Sequence, residues 1–305
     1  MNPLANTTSE PESSVILDSG MTETIEHTLS SSEQFAHHKN INNYYDSPAV
    51  AFFEQLAQQQ IHLGYWDDKY PNVSFANAAK RLSTVIISQL DVTQDSHLLD
   101  IGCGCGMPAI DIIQERGCWV EGITINPQQQ QKANALALKT GLSQKARFRV
   151  GDAAKLPYQD QQFDCTLLLE SIHHIGHQEA LDEAWRVLKP GGQILIADGV
   201  ALKEKVSPEN KQCLSNTFVA KTLATKAECL EILETTGFTG IETLDLTRAI
   251  QPTWRKLAKA TEANKTRIIQ DNNPDFFNEM LEFWKGMDSV WSNNARYLIF
   301  KAYKK

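Results

Sequence analysis

Seven short apolar runs, separated by segments of helical length and polarity, constrain this chain more than any other feature of its sequence. The runs are His97 to Cys103, Trp119 to Ile125, Arg147 to Gly151, Cys165 to Glu170, Gln193 to Asp198, Gly240 to Leu246 and Tyr297 to Tyr303. Between the early ones lie Pro108 to Glu115, Pro127 to Thr140 and Glu179 to Leu188, each patterned as a helix. Such alternation predicts an α/β fold, a mainly parallel sheet covered by helices on both faces. Open sheets of this kind bind ligands at the carboxyl ends of their strands, so the site is expected along that edge. Ahead of the first strand, Ala49, Phe52, Phe53, Leu56 and Ala57 recur at helical spacing, as do Ala76, Ala79, Leu82, Ile86 and Leu90, which predicts two helices there. Residues 1–38 carry Glu10, Glu12, Asp18, Glu23, Glu26 and Glu33 and no Lys or Arg, and are expected to form a mostly disordered acidic leader. Residues 39–94 then supply N-terminal helices and a lid, and 95–305 the main domain, with 247–294 between the sixth and seventh strands as a helical substrate cap.

The first strand runs directly into "LLDIGCGCGMPAI". Gly102, Gly104 and Gly106 permit a tight turn and close approach of backbone to a ligand, while Asp100 closes the strand with a carboxylate. A dinucleotide fingerprint needs its third glycine at Met107, one place later than this chain has it, so the loop suits a nucleoside but not NAD. Charge narrows the ligand further. A net charge of -8 disfavours a nucleic-acid partner, whose phosphates call for a basic face, and leaves a small-molecule acceptor; a homo-oligomer is compatible with it. No run approaches the length of a membrane span and no secretory signal opens the chain, so a cytoplasmic setting is expected. The six cysteines, Cys103, Cys105, Cys118, Cys165, Cys213 and Cys229, lack C-x-x-C pairing, which predicts reduced thiols and no zinc site.

"LLDIGCGCG", "VEGITINPQQ", "VGDAAKLPY", "FDCTLLLESIHH" and "WRVLKPGGQILIAD" occur in the order and rough spacing of the class I S-adenosylmethionine-dependent methyltransferases, which the chain resembles over about residues 95 to 200. "IHLGYW" and "ESIHHI" are similar to the small-molecule branch that contains rebeccamycin sugar and rifamycin O-methyltransferases. The resemblance implies a Rossmann-like seven-stranded sheet and S-adenosyl-L-methionine as cofactor. It places Asp100 at the ammonium, with Gly102 and Gly104 giving backbone access, and Asp152 at the adenine amino group with the Ala153 backbone beside it. Where many relatives hold the ribose with an acid, "GITIN" offers Thr124 and Asn126, with Gln129 following; Glu170 is counted with the cofactor's neighbours.

The stretch "ESIHHIGH" follows the fourth strand, whose end borders methyl transfer in this fold. A histidine there, with an unperturbed pKa of about 6.5, can accept a hydroxyl proton near neutral pH. His174 is expected to be the base, with His173 beside it and Asp198 as its orienter or a substrate contact; a purely structural pair is the bland alternative. A metal site is disfavoured, because His177 is the only other histidine nearby. Tyr44, Tyr45, His62, Tyr65 and Trp66 in the N-terminal region and Trp254 and Trp284 in the cap are expected to line the substrate pocket. The leading function is O-methylation of a hydroxyl on a small specialised metabolite. Carbon methylation of geranyl or farnesyl diphosphate is the enzymatic alternative, with carbocation rearrangement or cyclisation, and a catalytically silent binding protein the remote one.

Overall fold

The computed structural model describes residues 31–69, 71–202, 219–221 and 223–305. Among these, seven strands form a single sheet: β1 (His97–Ile101), β2 (Trp119–Thr124), β3 (Ala146–Val150), β4 (Phe163–Leu169), β5 (Leu188–Ala201), β6 (Phe238–Asp245) and β7 (Ala295–Lys304). Their order is β3-β2-β1-β4-β5-β7-β6. β1 to β5 pair in parallel, and β7 runs antiparallel between β5 and β6. This is the mainly parallel sheet that the alternation predicts, in the Rossmann-like seven-stranded form that the resemblance implies. Its order reverses between β1 and β4, which opens a crevice at the carboxyl ends of those two strands.

Successive residues of a strand face opposite sides, and the core divides accordingly. Leu98, Cys165, Leu167 and Leu195 pack on one face with α3 (Phe75–Ser88), α4 (Met107–Arg116) and α5 (Pro127–Lys139). Leu99, Leu168, Ile194 and Ile196 pack on the other with α7 (His177–Val187) and α8 (Lys226–Thr236). Each such Leu or Ile is almost wholly buried, worth about 1.5–3 kcal/mol apiece. A two-sided core of this kind explains why the central strands read as continuous apolar runs. Local chemistry fixes the helix starts: Asn126 accepts from the Gln128 and Gln129 amides at α5, and Thr225 with Glu228 forms a reciprocal cap at α8.

Three helices precede β1 rather than the expected two: α1 (Ser31–Tyr45), α2 (Pro48–Leu56) and α3. The first begins inside the segment read as a leader. Residues 31–38 are helical, and the rest of that expectation, residues 1–30, lies outside the described residues. Between β6 and β7 the chain forms α9 (Thr247–Ile250), α10 (Thr253–Ala263), α11 (Lys265–Asp271) and α12 (Pro274–Asn294), helical as expected for residues 247–294. β5 is longer than expected, because its pairing with β4 starts at Leu188, ahead of the Pro-Gly-Gly sequence, and its pairing with β7 continues to Ala201. Cys213 lies outside the described residues; the other five cysteines are buried thiols.

Candidate active site

β1 ends at the glycine loop, and backbone bonds from Gly102 and Cys103 to the Ile123 carbonyl, both 2.9 Å, tie that loop to β2. Gly102 adopts φ +85°, and a Cβ there would lie 2.4 Å from the Ser171 Cβ, so the loop and the start of the next segment approach each other too closely for a side chain. Gly104, at φ +52°, has open space where a Cβ would stand. Beside them Asp100 is buried to 1% exposure, and its Oδ2 has no hydrogen-bond partner among the described residues. Burial alone pushes its carboxyl up to about 7. A desolvated carboxylate with an unanswered oxygen suits a cationic ligand group, since an ammonium would supply both the charge and the missing donor.

The cavity that opens from this loop is walled by Gly102, Gly104, Thr124, Gln129, Asp152, Ala153 and Glu170. Asp100 borders a smaller space contiguous with it at Gly102 and Gly104. Thr124 Oγ1 donates to Gln129 Oε1 at 2.8 Å, which makes a neutral hydrogen-bonding edge at the end of β2. Asn126, expected at the same ligand, is instead fully buried: its Oδ1 caps α5 and its Nδ2 donates to Asp46. Asp152 Oδ1 accepts the Ala154 amide, while Oδ2 accepts Gln34 Nε2 at 2.9 Å with His38 Nε2 at 3.6 Å. Both of those partners come from α1, so this helix forms one wall of the cavity.

A second cavity lies against the first, beneath the cap. It spans about 950 Å³ counted out to its open mouth, and its walls include Tyr44, Tyr45, Val50, Phe53, Leu257, Trp254, Trp284, Trp291 and Tyr297. Trp254 and Trp284 stack with ring centres 6.2 Å apart. The polar wall is short: Glu170, His173, His174 and Asp198. Neither Lys nor Arg lines it among the described residues.

The histidine pair occupies α6 (Ile172–Ile175), a single helical turn after β4. Ser171 Oγ donates to the Ile101 carbonyl at 2.6 Å, which fixes the start of that turn to the end of β1. Adjacent residues on a helix diverge by about 100°, so the two imidazoles meet different partners. His173 Nδ1 lies 2.9 Å from both Asp198 oxygens. A carboxylate only accepts, so Nδ1 carries a proton and Nε2 is the nitrogen that takes another. The expected pairing of Asp198 with His174 is therefore not the one formed. His174 Nδ1 lies 3.3 Å from the Val219 carbonyl and donates to it, which leaves Nε2 to accept from the Tyr45 hydroxyl at 2.9 Å. Burial, reinforced by His173, holds His174 well below the usual imidazole range, so it stays neutral.

Three of the aromatic or imidazole residues expected at the pocket do not reach it. His62 is buried between the Leu63 carbonyl and Ser83 Oγ, and burial lowers it to about 4. Tyr65 lies under the Arg81 guanidinium, and Trp66 packs edge-on against Phe75. Residues that sequence reasoning passed over take their place. Ile61 borders both cavities, Tyr297 donates to Glu170, and His37 donates to the His174 carbonyl at 2.7 Å. His37 sits in a polar segment with no apolar periodicity to mark it. No group of three or more His, Cys, Asp or Glu placed to hold a metal ion occurs among the described residues, and none of their helices is long and apolar enough to cross a membrane.

Residues 99–196 match the family model described as a methyltransferase domain. The chain is 30% identical over 222 residues to the 27-O-demethylrifamycin SV methyltransferase of Amycolatopsis mediterranei, spanning 71% of this chain and 80% of that relative. It is 28% identical over 267 residues to the (+)-O-methylkolavelool synthase of Herpetosiphon aurantiacus, spanning 87% and 94%. Among solved structures, a geranyl diphosphate methyltransferase in complex with GPP and sinefungin shares the fold, with a TM-score of 0.72 at 17% identity over 88% of this chain and 100% of that one.

Proposed function

The chain belongs to the class I S-adenosylmethionine-dependent methyltransferases, and from that premise we propose that it methylates a neutral hydroxyl on a lipophilic specialised metabolite. The observation that carries this reading is the His173–Asp198 pair, beside Glu170 and His174, on the wall of a cavity lined elsewhere by aromatic and aliphatic side chains. Two relatives are named for methylation at oxygen, which accords with it.

S-adenosylmethionine, when bound, supplies an electrophilic methyl group. Asp100 would hold its ammonium, since the unpartnered Oδ2 is the one buried carboxylate oxygen at the loop that lacks a donor among the described residues. Thr124 and Gln129 offer neutral contacts to the ribose, and Asp152 with the Ala153 backbone meets the adenine amino group. In the adjoining cavity, His173 Nε2 takes the hydroxyl proton as the acceptor oxygen attacks. Asp198 keeps the imidazole in the right tautomer and stabilises the imidazolium, an arrangement worth roughly 100 to 10,000-fold in rate. Neutral His174 acts one step away by orienting Tyr45, and the apolar walls keep water from competing as acceptor.

A second reading has one observation in its favour. Three indoles and three tyrosines surround a cavity that also holds Glu170 and Asp198, a setting suited to a carbocation formed on carbon methylation of an isoprenyl diphosphate. Its diphosphate, however, needs cations. Arg248 pairs with Asp68 at the surface, Arg255 with Asp288, and Lys256 bonds the Pro71 carbonyl, so none of them faces this cavity. The deciding experiment is to offer deuteriomethyl cofactor with a panel of lipophilic alcohols and phenols beside geranyl and farnesyl diphosphates, with and without Mg²⁺. We expect label on oxygen of an alcohol. Label on carbon of a prenyl chain, dependent on Mg²⁺, overturns this assignment in favour of the second.

A further inference from the structure

Four residues wall both cavities, Tyr45, Ile61, Glu170 and His174, and so mark the boundary across which a methyl group passes. Of these, only Glu170 can carry a negative charge. It sits at the carboxyl end of β4 in the left-handed region, φ +50°, a conformation that residues other than glycine adopt uncommonly. The Leu63 amide donates to both of its oxygens, at 3.0 and 3.2 Å, and the Tyr297 hydroxyl to Oε1 at 2.9 Å. These donors are neutral, and no ion pair to Glu170 forms among the described residues. Asp198 on β5, beyond them, is answered by His173, and Tyr44 and Tyr45 on α1 and His174 on α6 complete the surround. The boundary thus presents a carboxyl group without a cation.

The cofactor of this family changes charge in the reaction: a sulfonium enters and a neutral thioether leaves. We propose that Glu170 is the counter-charge of that sulfonium, so that the boundary holds S-adenosylmethionine more tightly than S-adenosylhomocysteine and exchanges one proton with each change of charge. Burial, then the charge of Asp198, raise the Glu170 carboxyl to about 8 against the pull of its two donors, so near neutrality it carries a proton. Binding of the sulfonium ionises it, and that proton leaves to solvent. Methylation of an alcohol releases one proton as the oxygen–methyl bond forms and the sulfur–methyl bond breaks. With the sulfonium gone, Glu170 again favours its neutral form and takes up one proton as His173, which first accepted the hydroxyl proton, gives its own back. The spent cofactor then faces a carboxylic acid, with no charge left to hold it.

This rests on the cofactor assignment above but not on the acceptor, so it is tested with no acceptor present. Calorimetric titration of the full chain near pH 7, in buffers of different ionisation heat, counts the protons released by S-adenosylmethionine and by S-adenosylhomocysteine. Ionisation of Asp100 at the ammonium is common to both ligands and cancels. We expect close to one proton more released by the sulfonium ligand. Glu170→Gln keeps acceptors for Leu63 and Tyr297 and should remove that difference, lowering the affinity ratio of the two ligands by about ten-fold or more while S-adenosylhomocysteine still binds, which reports an intact fold. Tyr297→Phe removes a donor and keeps the carboxyl, and should retain the proton difference. Equal proton counts in the wild type, or a difference that persists in Glu170→Gln, overturns the proposal.

Discussion

Asp100, the residue proposed to hold the cofactor's ammonium, costs the fold stability. Its carboxyl is raised by burial from the ordinary range to about 7, so between about pH 4 and 7 the folded chain keeps a proton that the unfolded chain gives up. The cost of ionising it therefore grows across that window and is complete above it. Asp100→Asn should melt above the wild type near pH 8 without cofactor, by at most about 4 kcal/mol, and the gap should close as the pH falls toward 4. The same variant should bind S-adenosylmethionine more weakly; thermal melts over pH and calorimetry check both. The glycine loop supports a paired prediction. A methyl at Gly104 enters open space at a strained φ, so Gly104→Ala should fold with a loss of about 1–2 kcal/mol yet block the cofactor. Gly102→Ala meets Ser171 and should fail to fold stably, as denaturant unfolding will report. Asp100 and the glycines were legible in the sequence because strand, carboxylate and glycines stand in one unbroken run. The division of labour within His173-His174 was not, since it depends on which way each ring turns from a one-turn helix.

Among the elements, β1 to β7 could be read from apolar runs because burial on both faces imposes them, and their ends drifted where pairing outlasts apolar patterning, as at Leu188 and Ala201 in β5. α1 was hidden for the converse reason. "SSEQFAHHKNINNYY" is polar all round, with Phe35 exposed and only Ile41 among its residues deeply buried as an apolar side chain, so no stripe announces a helix. Its hold on the body is largely polar: Gln34 to Asp152, His37 to the His174 carbonyl, Tyr45 to the His174 ring. A Gln34→Ala, His37→Ala double variant should therefore loosen α1 while the sheet keeps its stability. Hydrogen exchange should quicken at α1 amides and stay unchanged in β1 and β4, and cofactor affinity should fall several-fold. Protected α1 amides in that variant would show that the helix is held by apolar contacts instead.

At the scale of the whole molecule, the sheet's carboxyl edge sets two cavities side by side, one at the end of β1 and β2, one at the end of β4 and β5. The roof of the second is built from opposite ends of the chain, with Tyr44 and Tyr45 of α1 meeting Trp254 of α10 and Trp284 and Trp291 of α12. Sequence patterning named most of these aromatics but could not join them, because more than half the chain lies between; for the same reason His62, Tyr65 and Trp66 looked equivalent to their neighbours until the fold turned them inward. On the proposed function, this assembly delivers a neutral hydroxyl to His173, held by Asp198, for methylation at oxygen. The most direct test is the pH dependence of kcat for formation of the O-methyl product, compared in the wild type, His173→Gln and His174→Gln. The wild-type rate should rise with pH through one apparent pKa. His174→Gln, which removes a ring already neutral, should keep that limb, whereas His173→Gln should lose it and fall by roughly 100 to 10,000-fold with cofactor affinity intact. A limb that survives in His173→Gln and vanishes in His174→Gln would make His174 the base and overturn the role given to His173.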